Sequence, residues 1–485
     1  FFIILIKLIL LKNILVLFSL IYLSGCNYNS DNPPFEAVIK TDSSKLVKSK
    51  HEIIIKTFLG NDQRNYYGEN PSSALNVKWK KYLGWGRTGF SDKKWYGAGW
   101  TGQPLLTSEY DTLYLYQGSF DHNIKKINAE TGELIWEYDM NDIIKGTGSI
   151  YVNPLSKNEI PLSIIQGSRR GEGNSLSSES CYSLRSVSLA TGKEEWRYNV
   201  TYSGSRSRDV DASPLVINDK IFAALENGLM AILNPSELLS ENKFNFPTEI
   251  TTIELFEKKN KFGRNIVEAS PVLLNNVIYI PSENGNIYGI EVSSKQIIFN
   301  YRIGSDLDGT PSVTNDSCLL VAVEKQHIPG YGGVLKLNLS DTVNTEEWFF
   351  PVKNRNFEDW AGGVIGSVST LNNHCVFTSI EGTLYLVDHT KFSGETVLSP
   401  DMKKKLKTPV LLDKKYIGPS ISTPIIIDNK IIACTYTGIY LFEITSDYKL
   451  NLLDKFITGF ESTPICYNGK IYVASRDGNL YCFSD

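Results

Sequence analysis

The sequence has little of what marks the common enzyme and nucleic-acid-binding classes. It contains 3 methionines and 5 histidines, and its 49 basic residues are slightly outnumbered by 53 acidic ones. The formal charge of −4 argues against general nucleic-acid binding, which usually shows a basic excess. No Cys-x-x-Cys, His-Glu-x-x-His, Gly-x-Ser-x-Gly or Walker motif occurs. We therefore assign no catalytic residue and expect no cofactor from the motifs.

Apolar residues at helical spacing are also scarce after residue 60. Short runs rich in β-branched and aromatic residues replace them, and turns containing Asn, Asp and Gly separate these runs. Such runs are typical of strands, so the sequence predicts an all-β chain. The segment Gly97–Gly102 matches Gly-x-Gly-x-x-Gly, but a dinucleotide site needs a strand, a turn and a helix around that pattern. Without this context the match predicts no nucleotide site.

The first 25 residues differ from the rest because they are almost continuously apolar. They end in Leu23-Ser24-Gly25-Cys26. An apolar segment with lysines near its start and small residues before a cleavage point predicts a secretory signal peptide over 1–25. The ending resembles the lipobox of bacterial lipoproteins, which implies cleavage before Cys26 and a lipid on its thiol. An uncleaved membrane anchor or a chance cysteine is the alternative.

A polar stretch over 26–59 separates this segment from the remainder of the chain. Asn, Ser, Asp, Pro and Lys dominate it, which predicts a flexible tether. Six further cysteines follow, most of them inside strand-like runs. We interpret them as buried free thiols, and a disulfide is the alternative in an exported protein.

One unit recurs along the chain from residue 102 onwards. It consists of a small residue and a proline, an apolar strand, an Asn or Asp turn, a second strand, a Gly turn and a third strand. The eight copies begin near Gly102, Gly148, Ala212, Ala269, Gly309, Gly366, Ser422 and Ser462. A repeat of this length that is rich in hairpins predicts radially arranged four-stranded sheets, rather than a β-helix or separate sandwiches.

Two copies carry an explicit fourth strand with a shared motif. Thr131-Gly132 and Thr191-Gly192 form turns, and Trp136 and Trp196 follow four residues after each glycine. This arrangement resembles the tryptophan-docking repeat of the PQQ-like, quinoprotein-type β-propellers. The resemblance covers about residues 60–485 and implies an eight-bladed propeller of four-stranded antiparallel blades. It also implies that indole rings pack between neighbouring blades, at positions Trp79, Trp136, Trp196 and Trp348.

The last copy is one strand short of a four-stranded blade. The segment 76–83 lies before the first copy, and its Trp79 matches Trp136 and Trp196 in position. We predict that 76–83 forms the outer strand of the last blade and pairs with 479–483. An N-terminal strand would then close the ring, which removes open sheet edges.

Acidic residues stand directly before the small-residue–proline element in four copies. They are Asp211, Glu268, Asp308 and Glu461. In a propeller these positions face the mouth of the central channel, where four carboxylates could bind a cation such as Ca²⁺. The alternative is that each carboxylate caps its own turn or pairs with a nearby arginine. Those arginines are Arg206, Arg208, Arg264 and Arg302.

Aromatic residues are concentrated just before the first copy. Trp85, Trp95, Tyr96 and Trp100 lie in a Gly-rich connection that is too long for a plain turn. Exposed aromatic side chains on a scaffold loop often mark partner or sugar binding. The alternative is that they cover the joint between the closing strand and the first blade.

Three functions remain open at this point. The lipobox and the propeller repeat together resemble the lipoprotein family of the outer-membrane β-barrel assembly machine, which binds partner proteins without a cofactor. This implies a monomeric, non-enzymatic scaffold in the cell envelope that is lipid-anchored to the outer membrane and faces the periplasm or the cell surface. It also implies that envelope proteins are the partners and that nucleic acid is not. One alternative is a quinoprotein dehydrogenase using PQQ and Ca²⁺; that family often places adjacent cysteines at its cofactor, and no two cysteines are adjacent here. The other alternative is a glycan- or peptide-binding surface lipoprotein.

Overall fold

The computed structural model describes residues 50–87, 93–256, 265–341, 344–353 and 362–485. Cys26, the predicted signal peptide and the tether up to residue 49 lie outside these ranges. Within them the regular structure is entirely β-strand, which confirms the all-β prediction. In these ranges no helix is long and apolar enough to cross a membrane.

The strands are short and follow one another at close intervals. In chain order they are β1 (His51–Ile55), β2 (Asn76–Tyr82), β3 (Trp85–Arg87), β4 (Lys94–Tyr96), β5 (Leu105–Glu109), β6 (Thr112–Gly118), β7 (Asn123–Asn128), β8 (Leu134–Asp139), β9 (Ser149–Val152), β10 (Leu162–Gly167), β11 (Leu184–Ser188), β12 (Glu194–Tyr198), β13 (Leu215–Ile217), β14 (Lys220–Ala224), β15 (Leu229–Glu241), β16 (Phe244–Glu254), β17 (Val272–Leu274), β18 (Val277–Pro281), β19 (Asn286–Glu291), β20 (Ile297–Arg302), β21 (Ser312–Val313), β22 (Leu319–Val323), β23 (Gly333–Leu337), β24 (Glu346–Pro351), β25 (Ser369–Leu371), β26 (His374–Thr378), β27 (Thr383–Leu398), β28 (Lys405–Tyr416), β29 (Ile425–Ile427), β30 (Lys430–Cys434), β31 (Ile439–Ile444), β32 (Leu450–Phe456), β33 (Ile465–Tyr467), β34 (Lys470–Ala474) and β35 (Asn479–Ser484).

Most of these strands pair antiparallel in consecutive four-stranded sets. The sets are β5–β8, β9–β12, β13–β16, β17–β20, β21–β24, β25–β28, β29–β32, and β33–β35 with β2. Seven of the sets begin three residues after the expected start of a copy, as β13 at Leu215 does for the copy at Ala212. Since a parallel contact between Trp348 of β24 and Lys407 of β28 joins two of the sets in one eight-stranded sheet, the count of eight blades stays a prediction.

Hairpin turns and inter-sheet packing explain why these residues form these sets. The turns before β14, β18 and β34 contain Asn or Asp at positive φ, as tight hairpins require, for example Asn468 at 49° before Gly469 at 75°. The core lies between neighbouring sets: Leu215 and Phe222 of one set pack in the same buried cluster as Ile278 and Tyr288 of the next. Each sheet therefore buries both faces, and no single set carries a core of its own.

The closing strand is present where the sequence predicts it. β2 pairs antiparallel with β35, so that Trp79 lies opposite Cys482 and Tyr82 opposite Asn479, with a bulge between Val77 and Trp79. This confirms that an N-terminal strand completes the last four-stranded set. The six cysteines in the described ranges are all free and buried.

Tryptophan side chains join successive sets by a repeated contact. Trp79 Nε1 donates to the carbonyl oxygen of Ala129 at 3.1 Å, and Trp136 Nε1 donates to Leu189 O at the same distance. A Cβ on Gly132 would stand 2.8 Å from the Trp79 ring, and one on Gly192 would stand 2.8 Å from the Trp136 ring. Glycine is therefore required wherever the indole lies flat on the turn of the neighbouring set.

The other two tryptophans vary this contact. Trp348 Nε1 donates to His389 O at 2.9 Å, again in the next set. Trp196 instead donates to the hydroxyl of Tyr151 within its own set, at 3.2 Å, although its ring packs in a cluster with Ile221 and Leu233 of the next set. The four rings thus all lie between sheets, and they differ in where the indole N–H is satisfied.

The end of the predicted tether is structured, so that part of the prediction is wrong. β1 adds to the edge of β5, with His51 opposite Glu109, and Phe58 and Leu59 are fully buried. The reason is that this stretch contains a short apolar run, Ile53 to Ile55, that the polar composition of 26–59 as a whole conceals. Residues 56–67, which we call the axial loop, continue from β1 into the interior.

The axial loop bonds to the first strands of several different sets. Arg64, itself fully buried, donates from Nη2 to Ser213 O at 3.0 Å and from Nε and Nη2 to Pro271 O at 2.9 and 2.8 Å. Asn65 Nδ2 donates to Val313 O at 2.9 Å, and the Tyr67 hydroxyl accepts from Thr370 N at 2.9 Å. A single loop can reach these strands because the first strand of each set converges on one axis. Its backbone is satisfied there by strand edges that would otherwise lack partners.

We expect Trp79→Ala to destabilise the whole domain, because it removes the ring that joins the last set to the first. Loss of a large packed aromatic side chain lowers the free energy of unfolding by about 3 kcal/mol. Denaturant unfolding followed by tryptophan fluorescence measures the change. Trp85→Ala is the matched control, since its side chain is 38% exposed; equal midpoints for the two variants would contradict the role of Trp79.

We expect Arg64→Met to be destabilising although it keeps the length of the side chain. The carbonyl oxygens of Ser213 and Pro271 would remain buried without these donors, which costs about 3 kcal/mol in the free energy of unfolding. Arg206→Met is the control because the Arg206 side chain is 62% exposed. An Arg64→Met midpoint as high as that of the control would show that the axial loop does not hold the first strands.

Candidate functional site

The predicted carboxylates Asp211, Glu268 and Asp308 lie just before the first strands β13, β17 and β21. Hydroxyl–amide bonds hold these entry segments in register: Ser213 N donates to Ser270 Oγ at 2.8 Å, and Ser270 N donates to Thr310 Oγ1 at 2.9 Å. In these three copies the small hydroxyl residue thus links one copy to its neighbour. This linkage brings the acidic residues that precede it to one end of the sets.

Further carboxylates reach the same place from the ends of the second strands. They are Glu226 after β14, Glu283 after β18 and Glu324 after β22. The sequence analysis missed them, although the repeated Glu-Asn-Gly at 226–228 and 283–285 was a usable signal. Asp209 and Asp306, two residues before Asp211 and Asp308, join the group. We call these residues, with the three predicted ones, the acidic cluster.

One side of the acidic cluster contains its own cation. Lys145 Nζ lies 2.5 Å from Asp211 Oδ2, 3.7 Å from Glu226 Oε1 and 3.8 Å from Asp209 Oδ2. Arg169 Nε is 3.2 Å from the same Asp209 oxygen. Burial raises the pKa of Asp211 and of Glu226, while the carboxylates around Lys145 leave its pKa well above the usual 10.5 despite burial.

The other side holds Asp306, Asp308 and Glu324 close together. One carboxylate oxygen from each lies within 4.8 Å of the others. The Glu324 side chain accepts from Gln326 Nε2 at Oε2, at 3.1 Å, while its buried Oε1 has no hydrogen-bond partner among the described residues. Burial, followed by repulsion from Asp306, raises the pKa of Glu324 to about 8. Burial likewise raises the pKa of Glu268 to about 7.

Glu461 does not belong to the acidic cluster, so the predicted convergence of four carboxylates is wrong at this position. Its carboxylate pairs with Arg476 in the last set. Of the arginines named as alternative partners, Arg206 pairs with Glu283, and Arg208 donates to the carbonyl oxygens of Val200, Leu176 and Ser178. Arg264 lies outside the described residues.

The aromatic residues before the first copy lie along the joint between the last and first sets. Trp85 and Tyr96 face each other across the β3–β4 hairpin, and Trp95 packs edge-on against Phe120 with ring centres 5.2 Å apart. The carbonyl of Trp100 accepts from Thr463 Oγ1 at 3.0 Å. Trp85 is the most exposed of the four, with Lys94 Nζ 3.9 Å from its ring centre. This placement favours the covering role over a free aromatic platform.

Comparison with known proteins identifies the fold. No family model and no curated protein sequence matches the chain. Among solved structures, BamB from Moraxella catarrhalis is similar with a TM-score of 0.53 at 14% identity, covering 85% of this chain and 100% of that one. Two quinohemoprotein alcohol dehydrogenases, from Comamonas testosteroni and Pseudomonas putida HK5, each give 0.56 at 12% and 10% identity, covering 89% of this chain and 80% of theirs. The chain therefore has a PQQ-like β-propeller fold.

We expect Glu226→Gln to flatten the pH dependence of stability. Burial raises the pKa of this carboxyl in the folded chain well above 4.5, the usual value that applies in the unfolded chain. Between the unfolded and the folded pKa, the folded chain therefore binds more protons than the unfolded chain. Stability therefore falls as the pH rises through this window, by up to about 1.4 kcal/mol per pH unit for one group. The variant lacks the titrating group and loses that part of the slope.

Urea midpoints of chelator-treated protein, measured from about pH 5 to about pH 8, give the slope. Glu461→Gln is the control, because that carboxylate is paired with Arg476 outside the acidic cluster. If Glu226→Gln keeps the slope of the unaltered chain, Glu226 is ionised in the folded state throughout this range.

Proposed function

We propose that this chain is a non-enzymatic scaffold of the bacterial cell envelope, which binds partner proteins of outer-membrane protein assembly through two long hairpins. The observation that carries the proposal is the length and exposure of these hairpins. β15 and β16 have 13 and 11 residues, and β27 and β28 have 16 and 12. The other strands have 2 to 7 residues. These two pairs of outer strands therefore project beyond their neighbours.

Both hairpins expose large apolar side chains. Leu239 is 64% exposed on the first hairpin, and Phe392 is 46% exposed on the second. Apolar side chains presented in water on a regular element are typical of protein-binding surfaces. Strand edges are usually blunted to prevent chance pairing, so two extended apolar hairpins favour a specific use.

The hairpins are held rigidly against the preceding sets. Asn245 Nδ2 of the first donates to Glu195 O of β12 at 3.0 Å, and Arg197 lies over the Phe244 ring at 3.6 Å. On the second hairpin, Lys404 Nζ pairs with Glu346 Oε1 of β24 at 2.7 Å. A surface that is already ordered loses little conformational entropy on binding, which favours partner recognition.

The cellular location in this proposal comes from the N-terminal motif. A lipid on Cys26 would anchor the chain to the outer membrane, with the propeller as a monomer facing the periplasm or the cell surface. The similarity of fold to BamB is compatible with this location. Membrane attachment would bring the two hairpins close to other envelope proteins, and nucleic acid is not expected as a partner at a net charge of −4.

The acidic cluster does not fit PQQ as a direct ligand. PQQ is a tricarboxylate, and the acidic cluster already places carboxylate oxygens of Asp306, Asp308 and Glu324 within 4.8 Å of one another. An anionic cofactor would add charge of the same sign to buried carboxylates. Since that family often has adjacent cysteines at its cofactor and no two cysteines are adjacent here, the scaffold is favoured over the quinoprotein dehydrogenase.

Site-specific photo-crosslinking tests the proposal. A photoreactive amino acid at position 239 or 392 is expected to capture outer-membrane assembly proteins in intact envelopes, identified by mass spectrometry. Position 298 is the matched control, since Ile298 is 58% exposed on β20, whose set has no long hairpin. Equal capture of these proteins from 298, or none from 239 and 392, would contradict the proposal.

A further inference from the structure

The two sides of the acidic cluster differ in how their charge is balanced. On one side Lys145 Nζ contacts Asp211 at 2.5 Å and approaches Asp209 and Glu226. On the other side no ion pair reaches Asp308 or Glu324 within the ranges that the structure describes. Isolated buried carboxylates are strongly disfavoured. The second side therefore needs protons or a bound cation.

The orphaned oxygen of Glu324 points to a bound cation. This side chain is buried, with the residue only 1% exposed, and its Oε1 has no hydrogen-bond donor among the described residues. Buried polar atoms without partners are rare in native proteins, and a bound water or ion often explains them. One oxygen of the Glu324 carboxylate lies within 4.8 Å of an oxygen of Asp306 and of Asp308, so one cation could contact all three side chains.

We propose that Asp306, Asp308 and Glu324 bind a hard divalent cation of the Ca²⁺ class. Their ligand atoms lie within 4.8 Å of one another. Two oxygens bound to one Ca²⁺ at 2.3–2.6 Å are at most about 5 Å apart, so the three can share one ion with little movement. Three carboxylates and no nitrogen or sulfur ligand favour Ca²⁺ or Mg²⁺ over Zn²⁺.

Gln326 is placed to complete the coordination. Its Nε2 lies 3.1 Å from Glu324 Oε2 and 3.4 Å from Asp306 Oδ2. Turning the amide over would present Oε1 in the same direction as a neutral fourth ligand. Ca²⁺ accepts 6–8 oxygens, and water would supply the remainder.

A second acidic group in the fold shows the alternative arrangement. Asp316, Cys318 and Glu347 also place their ligand atoms within 4.8 Å of one another. There Lys336 Nζ lies 2.5 Å from Asp316 Oδ2 and 2.9 Å from Glu347 Oε2. That group is paired with its own lysine, as the Lys145 side is. The Asp306–Asp308–Glu324 group is thus distinguished by lacking such a lysine contact at Asp308 and Glu324.

Calorimetric titration of chelator-treated protein with CaCl₂, and separately with MgCl₂, tests the proposal. We expect one site per chain for Ca²⁺, with a rise in melting temperature on addition of the ion. We expect proton uptake by the buffer, since the ion displaces protons from the carboxylates. The double variant Asp308→Asn with Glu324→Gln should weaken the Kd at least about tenfold and abolish the thermal shift.

Two controls keep the outcome decisive. Glu461→Gln, outside the acidic cluster, should bind Ca²⁺ as the unaltered chain does. The single variant Glu324→Gln is melted in chelator as a check on folding. Because the substitution removes one of the repelling carboxylates, its melting temperature should be equal or higher. A lower value would indicate that loss of binding reflects a misfolded chain. No heat and no thermal shift with either ion up to about 1 mM, or unchanged binding by the folded double variant, would overturn the proposal. The crosslinking result does not bear on this test, so the two proposals fail independently.

Discussion

The hydrogen bonds of Arg64 to the carbonyl oxygens of Ser213 and Pro271 are the constraint on which the rest of the structure depends. They join residues 149 and 207 positions apart in the chain. The guanidinium has five donors in a fixed plane, so it can serve several carbonyl groups at once without moving. From this point the chain runs outward to β2, whose pairing with β35 closes the outer edge. One N-terminal segment therefore ties the first strands together on the axis and closes the ring at the rim.

This arrangement makes it possible to keep many carboxylates close together. Desolvated acidic side chains destabilise a fold unless other contacts compensate. Here hydroxyl–amide bonds such as Ser213 N to Ser270 Oγ link the entry segments. The indole N–H groups of Trp79 and Trp136 bond each of their sheets to the next one. Lys145 relieves the repulsion on one side of the acidic cluster, and the proposed cation would relieve it on the other.

The two long hairpins place the proposed partner-binding surface at a different part of the molecule. Their apolar side chains project from the outer strands, whereas the acidic cluster lies where the first strands begin. In a propeller the outer strands can lengthen without disturbing the axis, because each set contacts only its neighbours. The proposed cation site and the proposed hairpin surface are therefore built from different strands of the same chain.

Local patterns in the sequence were sufficient for the parts of the fold that depend on neighbouring residues. Asn-Gly and Thr-Gly turns, the spacing of Trp136 and Trp196, and the incomplete last copy predicted the strands, the tryptophan positions and the closing strand, because hairpins pair residues that are close in sequence. The site was predicted in part: Asp211, Glu268 and Asp308 come together, since each occupies the same position in its copy.

Tertiary structure decided the rest. Arg64 received no role in the sequence analysis, because nothing within a few residues indicates a carbonyl acceptor at Pro271. Glu461 occupies the same position in its copy as Asp308, yet Arg476 binds it, while Glu324 enters the acidic cluster from the end of a different strand. Sequence by itself thus determined the repeated unit and how its strands pair. Which charged side chains meet on the axis depends on contacts between units far apart in the chain, and only the folded ring brings these together.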